Sequence, residues 1–172
     1  MAEFSNVQLE IDDLPKLEDQ KFNGLHTNYL TVVLIFRVLV IFILLGGVAA
    51  LSTEDMQAAL WLGAGVLVFG GLFISAGYFG FYKKGYALRE HDVSYKRGLI
   101  FHSTTVVPLN RIQHSELVRG PLDRLFGLSS VKIYTAGGSM SDITIPGLGL
   151  EVAEKIRNYI TSKIQDQEDA GE

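Results

Sequence analysis

The chain divides by the period of its apolar positions. From Leu30 to Leu51 run 22 residues whose only charge is Arg37, and from Ala58 to Tyr82 run 25 residues with none. Each run exceeds the roughly 20 residues that a helix needs to cross a hydrocarbon core about 30 Å thick, so both predict transmembrane helices. The short acidic connection Ser52 to Gln57 makes the two a hairpin. After Tyr82 the pattern changes to short alternating segments rich in β-branched residues and broken by turn formers, which predicts strands. These are Tyr86 to Glu90, Asp92 to Arg97, Leu99 to Pro108, Ile112 to Gly120, Val131 to Ala136 and Ile143 to Ile145. Pro121 to Phe126, with Gly127 as its stop, predicts a turn or two of helix, and Gly137 to Asp142 a hairpin loop. The period then lengthens again. Leu150, Ala153, Ile156, Ile160 and Ile164, supplemented by Val152 and Tyr159, share one face of a closing amphipathic helix, with Glu151 and Glu154 in its first turn and Lys163 in its last, as the helix dipole favours.

Composition agrees with a small domain attached to a membrane element. The 172 residues are 48% hydrophobic and only 20% charged, below the roughly 25% of a soluble domain. Cysteine is absent, which removes disulfides, thiolate nucleophiles and cysteine-held metals. The net charge of −4 hides a segregation. Residues 1–29 carry six acids (Glu3, Glu10, Asp12, Asp13, Glu18 and Asp19) against Lys16 and Lys21, and Gln165 to Glu172 carry four acids and no base. Residues 83–164 carry twelve bases and seven acids, so an acidic protein contains a basic domain.

The bases also orient the hairpin. Its connection has none, whereas Lys83, Lys84, Arg89, Lys96 and Arg97 follow the second span closely. Basic residues beside span ends stay on the cytoplasmic side, which predicts cytoplasmic termini. The 29 residues before the first span, and the length of that span, do not fit a cleavable signal peptide. Tyr29, Trp61, Tyr78 and Tyr82 suit interfacial anchoring, or simply belong to apolar helices. Arg37 either pairs inside an assembly or, more economically, snorkels to the headgroups. Small residues four apart, Ala59/Gly63, Gly71/Ser75, Ala76/Gly80 and Gly46/Ala50, predict close packing of the two helices.

A small antiparallel sheet closed by one helix matches a pleckstrin-homology-like (PH-like) split barrel whose helix plugs an open end. Five blocks in series carry a more specific likeness: Tyr86-Ala-Leu-Arg89, Tyr95-Lys-Arg-Gly-Leu99, Val107-Pro-Leu-Asn-Arg-Ile-Gln113, Gly120-Pro-Leu-Asp-Arg-Leu-Phe-Gly127 and Ile133-Tyr-Thr-Ala-Gly-Gly138. With the two preceding spans they resemble the bacterial PH-like membrane-flanked domain proteins of the YdbS type, from Leu30 to about Ile164. The resemblance implies a fold, a topology and partnership with a larger YdbT-like relative carrying several such domains. It implies no chemistry. The expected organisation is therefore an α+β membrane protein: an acidic cytoplasmic segment (1–29), a transmembrane hairpin (30–82, with spans 30–51 and 58–82), a PH-like split β-barrel capped by a C-terminal helix (83–164) and an acidic tail (165–172), in the bacterial cytoplasmic (inner) membrane.

Motifs for catalysis are missing: there is no G-x-S-x-G, Walker loop or H-E-x-x-H. His102 and His114 stand singly, without a second ligand at metal spacing, and Ser103 to Thr105 and Ser129-Ser130 read as strand and loop polar residues. No catalytic residue, metal or cofactor is expected. Basic residues not interleaved with stacking aromatics in an overall acidic chain argue against nucleic acid. Lys83, Lys84, Arg89, Lys96 and Arg97 are the candidate headgroup ligands, since a basic cluster beside a span attracts anionic lipid at about 1 kcal/mol per residue; the same residues also serve insertion alone. Arg111, Arg119 and Arg124 are candidate partner or anion contacts through their guanidinium forks; in the structural alternative Arg111 and Arg124 pair with Asp123, Glu116 or exposed carbonyls to fix the Gly120 to Gly127 crossing. Two functions are expected to compete: a non-enzymatic inner-membrane adaptor that docks a partner protein and faces anionic headgroups, and an accessory subunit of a lipid or peptide export or resistance system. Two spans are too few for a pathway alone, and the second has only Ser75 polar apart from aromatics near its ends.

Overall fold

The computed structural model describes residues 21–51, 56–136 and 143–169. The acidic residues of the leader up to Asp19, the connection from Ser52 to Asp55, the loop Gly137 to Asp142 and the last three residues lie outside them. Helices α1 (Thr27–Leu51) and α2 (Met56–Tyr82) are both long and apolar enough to cross a membrane. Six strands follow as two three-stranded antiparallel sheets. The first is β1 (Gly85–Leu88), β2 (Asp92–Arg97) and β3 (Ser103–Pro108); the second is β4 (Ile112–Val118), β5 (Leu128–Thr135) and β6 (Ile143–Gly149). A short α3 (Pro121–Leu125) crosses between β4 and β5, and α4 (Leu150–Asp169) packs on the second sheet. The sheets do not join into a closed barrel, in keeping with a split PH-like arrangement.

Apolar side chains from both sheets and α4 meet in one core. Val93, Val131, Ile133, Ile145 and Ile160 are fully buried, with Val107, Ile112, Ile143, Leu148, Ala153 and Ile156 around them. Ala153, Ile156 and Ile160 are the buried stripe of α4, and Leu150, Tyr159 and Ile164 are half-buried beside it, as their spacing predicts. Val152 is instead exposed, because its position falls off the stripe set by Ala153 and Ile156. The helix also continues to Asp169, so Lys163 is not in its last turn.

Register defines two poles. Gly85 faces Lys96, Arg97 faces Ser103, Val118 faces Ser130 and Leu128 faces Gly149 at the pole from which the helices emerge, here the near pole. Leu88 faces Val93, Asp92 faces Pro108 and Ile112 faces Thr135 at the far pole.

The hairpin is joined to the domain by more than its chain continuity. Leu25 and Phe81 belong to the domain core. Asn23 and Tyr86 exchange backbone hydrogen bonds of 2.7 and 2.9 Å, the His26 N–H donates to the Gly147 carbonyl at 2.9 Å, and Asn28 Nδ2 donates to the Phe126 carbonyl at 3.0 Å. β6 runs beyond the expected Ile145 to accept this contact. Gly147 has φ +63°, and the space beside it that a Cβ would need is filled by the Tyr29 ring.

Within the hairpin the close approach uses other small residues than most of those expected. Gly70 and Gly77 are buried: a Cβ on Gly70 would lie 2.9 Å from Ile41 Cδ1, and one on Gly77 2.6 Å from Arg37 Cζ. Ala59 and Gly63 share this half-buried face, but Gly71, Ser75 and Ala76 face outward and Gly46 has open space around it. Spacing alone identifies a small-residue stripe without its direction, and here Arg37 and Ile41 of α1 set that direction.

Candidate functional site

The five basic residues expected at headgroups divide between the poles. Lys83 and Lys84 follow α2 directly, and Lys96 and Arg97 end β2 beside them. Arg89 lies past the other end of β1, roughly 13 Å away at about 3.3 Å per residue. There it grips Asp92 with both forks, Nε to Oδ1 at 2.8 Å and Nη2 to Oδ2 at 2.6 Å. A bidentate exposed pair of this kind fixes the β1–β2 turn more than it stabilises the fold.

The three arginines expected at one contact also separate. Arg119 Nε donates to the Leu128 carbonyl at 3.0 Å and so braces the crossing between β4 and β5. Asp123 Oδ2 accepts from the Gly120 N–H at 2.9 Å, and Glu116 accepts from the Tyr134 hydroxyl at 3.0 Å. Neither carboxylate pairs with an arginine among the described residues. Arg124 is exposed on α3 at the near pole. Arg111 is exposed at the far pole, before β4. The length of β4 puts Arg111 and Arg119 roughly 25 Å apart, and no single anion spans that.

At the near pole four cations gather at the foot of α2, and none of them is ion-paired among the described residues. Lys84 is half-buried with its ammonium 5.3 Å from the Tyr29 ring, and Lys96 Nζ is 4.5 Å from the Phe22 ring. Burial first, then Arg37 and Arg97, holds the Lys84 ammonium below the ordinary lysine pKa. Tyr82, Lys83, Lys96, Arg97, His102, Ser103 and Thr104 line a cavity of about 310 Å³. Among the described residues, no group of three His, Asp or Glu side chains is placed to hold a metal ion.

Arg37 is engaged by the facing helix. Its Nη1 donates to the Phe73 carbonyl, its Cζ lies 4.3 Å from the Phe73 ring centre, and Gly77 leaves it room. The guanidinium thus ties α1 to α2 within the hairpin.

Tyr95, buried beneath this pole, has its phenol pushed up to about 12, chiefly by desolvation and then by Tyr29, with Arg97 opposing. A raised phenol favours the folded state while it is protonated. That contribution is complete below pH 10.0, the ordinary value, and is lost as pH rises toward about 12. Titration of phenolate absorbance should show one tyrosine ionising only near the alkaline unfolding transition, and Tyr95→Phe should remove that late step.

One signal escaped the sequence reading. Ile100 and Phe101, expected inside a strand that begins at Leu99, form a tip between β2 and β3 and are 81% and 88% exposed. Gly98, at φ +125°, turns the chain so tightly that a Cβ there would meet the Phe101 carbonyl. The expected break at Arg97-Gly98 is where β2 ends, but the turn runs on to His102 before β3 begins at Ser103.

Two apolar helices rooted in a two-sheet domain with one capping helix define a membrane-anchored PH-like protein. The chain belongs to the bacterial PH domain family, which matches residues 30–164. It is similar to the transmembrane protein YdbS of Bacillus subtilis, with 34% identity over 76 residues that cover 44% of this chain and 46% of that protein. The aligned segment is therefore about half the length of that relative. No solved structure matches the chain.

Proposed function

We propose that the chain is a non-enzymatic integral adaptor of the bacterial inner membrane. In this reading both termini are cytoplasmic, the near pole faces anionic headgroups through Lys83, Lys84, Lys96 and Arg97, and the far pole docks a partner protein. The partner is a larger YdbT-like relative with several such domains, and Arg89 and Arg111 are on its side. The observation that carries the proposal is the fixed union of hairpin and domain through Asn23, His26 and Asn28. A domain held in one orientation offers one pole to the bilayer and leaves the other free for a protein.

The competing reading, an accessory subunit of an export or resistance system, needs polar groups free to line a path along the spans. Arg37 is engaged by Phe73 within the hairpin, and this favours the adaptor. Two measurements test it. Reporter fusions at Asp55 and at the C-terminus should report opposite sides of the membrane, with the C-terminus inside; a C-terminus outside overturns the orientation. Copurification from native membranes in mild detergent should retain a PH-domain partner with the wild type and lose it with Arg89→Glu/Arg111→Glu. Equal retention by that variant removes the far pole from the docking surface.

A further inference from the structure

The near pole carries more apolar surface than a water-facing pole needs. Besides Ile100 and Phe101, Leu125 and Leu122 of α3 are 77% and 42% exposed. Both sets adjoin the feet of the hairpin. His102, next to Phe101, shares a cavity with Tyr82 and Lys83 at the end of α2, and Phe126, next to Leu125, is held by Asn28 in the first turn of α1. Exposed apolar groups mark an interaction surface, and here each set lies beside the foot of one transmembrane helix. The cavity beside the Ile100–Phe101 tip has three bases, an imidazole and three hydroxyl side chains among its lining, and no carboxylate.

We propose that this pole is built into the bilayer: the Ile100–Phe101 tip and the Leu122 and Leu125 side chains enter the leaflet beside the hairpin's feet, and the cavity of Lys83, Lys96, Arg97, His102, Ser103 and Thr104 holds the phosphodiester of an anionic phospholipid of that leaflet. The apolar groups leave water for the acyl boundary, which brings the cavity mouth to headgroup depth. Arginine and two hydroxyls then bind phosphate oxygens, while lysine adds charge.

The inference deepens the lipid-facing half of the proposed function and is tested apart from partner docking and sidedness. In the full chain carrying Trp61→Phe, so that the native indole is gone, tryptophan is placed in turn by Phe101→Trp, Leu125→Trp and, at the far pole, Arg111→Trp. All three positions are exposed, so folding is not at issue. In vesicles of phosphatidylcholine and phosphatidylglycerol with brominated acyl chains, the first two should be quenched at least about twofold more than the third, as acyl contact requires. Equal quenching at all three overturns the insertion, and so does protection of residues 101 and 125 by cross-linkable contact with a second copy. Native mass spectrometry of the detergent-solubilised chain should show phosphatidylglycerol retained over phosphatidylcholine, and Lys96→Gln/Arg97→Gln should weaken that retention roughly 30-fold. Retention of inorganic phosphate in place of lipid, or no selectivity between the two lipids, overturns the phosphodiester site.

Discussion

Replacing Ile156 and Ile160 together by Asp should unfold the PH-like domain while the hairpin stays in the membrane. Both side chains are buried, at 4% and 0% exposure, on the α4 stripe that closes the core. Removing either aliphatic group costs about 2–5 kcal/mol. The incoming carboxylate adds several more, because it has no cation partner within the core and must be neutralised or hydrated there. Two such sites together exceed about 8 kcal/mol, comparable to the whole stability of a domain at about 5–15 kcal/mol. Limited proteolysis of the full chain in detergent should then cut freely between Lys83 and Ile164 and leave a protected hairpin fragment. The paired control Glu154→Gln/Asn158→Asp lies on the exposed face of the same helix and should leave the cleavage pattern unchanged. A native-like melting transition and protease resistance in the double Asp variant would show that α4 is dispensable to the core.

Legibility in the sequence followed the physics of each element. The two spans were readable because an apolar run longer than 20 residues has few other uses, and α4 because its period of 3.6 survives without tertiary context. β2 was readable to the residue, Asp92 to Arg97, since its alternating pattern sits between clear turn formers. β6 was cut short at Ile145 because Pro146-Gly147 reads as a stop. In the fold Pro146 lies within the strand, and Gly147 is the kink on which Tyr29 rests. Ile100 and Phe101 were misread because an apolar pair beside β-branched residues ordinarily means burial. The basic residues were all visible, but their division between poles depends on strand register, which places Lys96 opposite Gly85 and Arg89 beyond Leu88. The attachment of residues 23–28 to β1, β6 and α3 left no trace, since it is made largely by backbone groups that every sequence has.

The second large effect is expected at that attachment. Gly147→Val places a β-branched residue at φ +63°, a region such residues avoid, and sets its side chain in the space that the Tyr29 ring occupies. Relief comes most cheaply by moving Tyr29, because β6 on either side is anchored by the buried Ile145 and Leu148. Moving it strips the His26 N–H of its acceptor, the Gly147 carbonyl. Backbone strain of about 1–3 kcal/mol should speed amide exchange at His26 about 10- to 100-fold, while the core amides of β5 keep their protection. The absence of native cysteine permits a direct geometric readout. Spin labels at Phe42→Cys, on the outer face of α1, and Gln113→Cys, on exposed β4, should give one narrow distance distribution in the otherwise native chain and a broad one with Gly147→Val. Tyr29→Ala combined with Gly147→Ala should exchange no faster than Tyr29→Ala alone if the clash with the ring is the main cause. An unchanged distance distribution in Gly147→Val would mean that the domain is held at the membrane by Leu25 and Phe81 in its core, and that the Tyr29 contact adds little to its orientation.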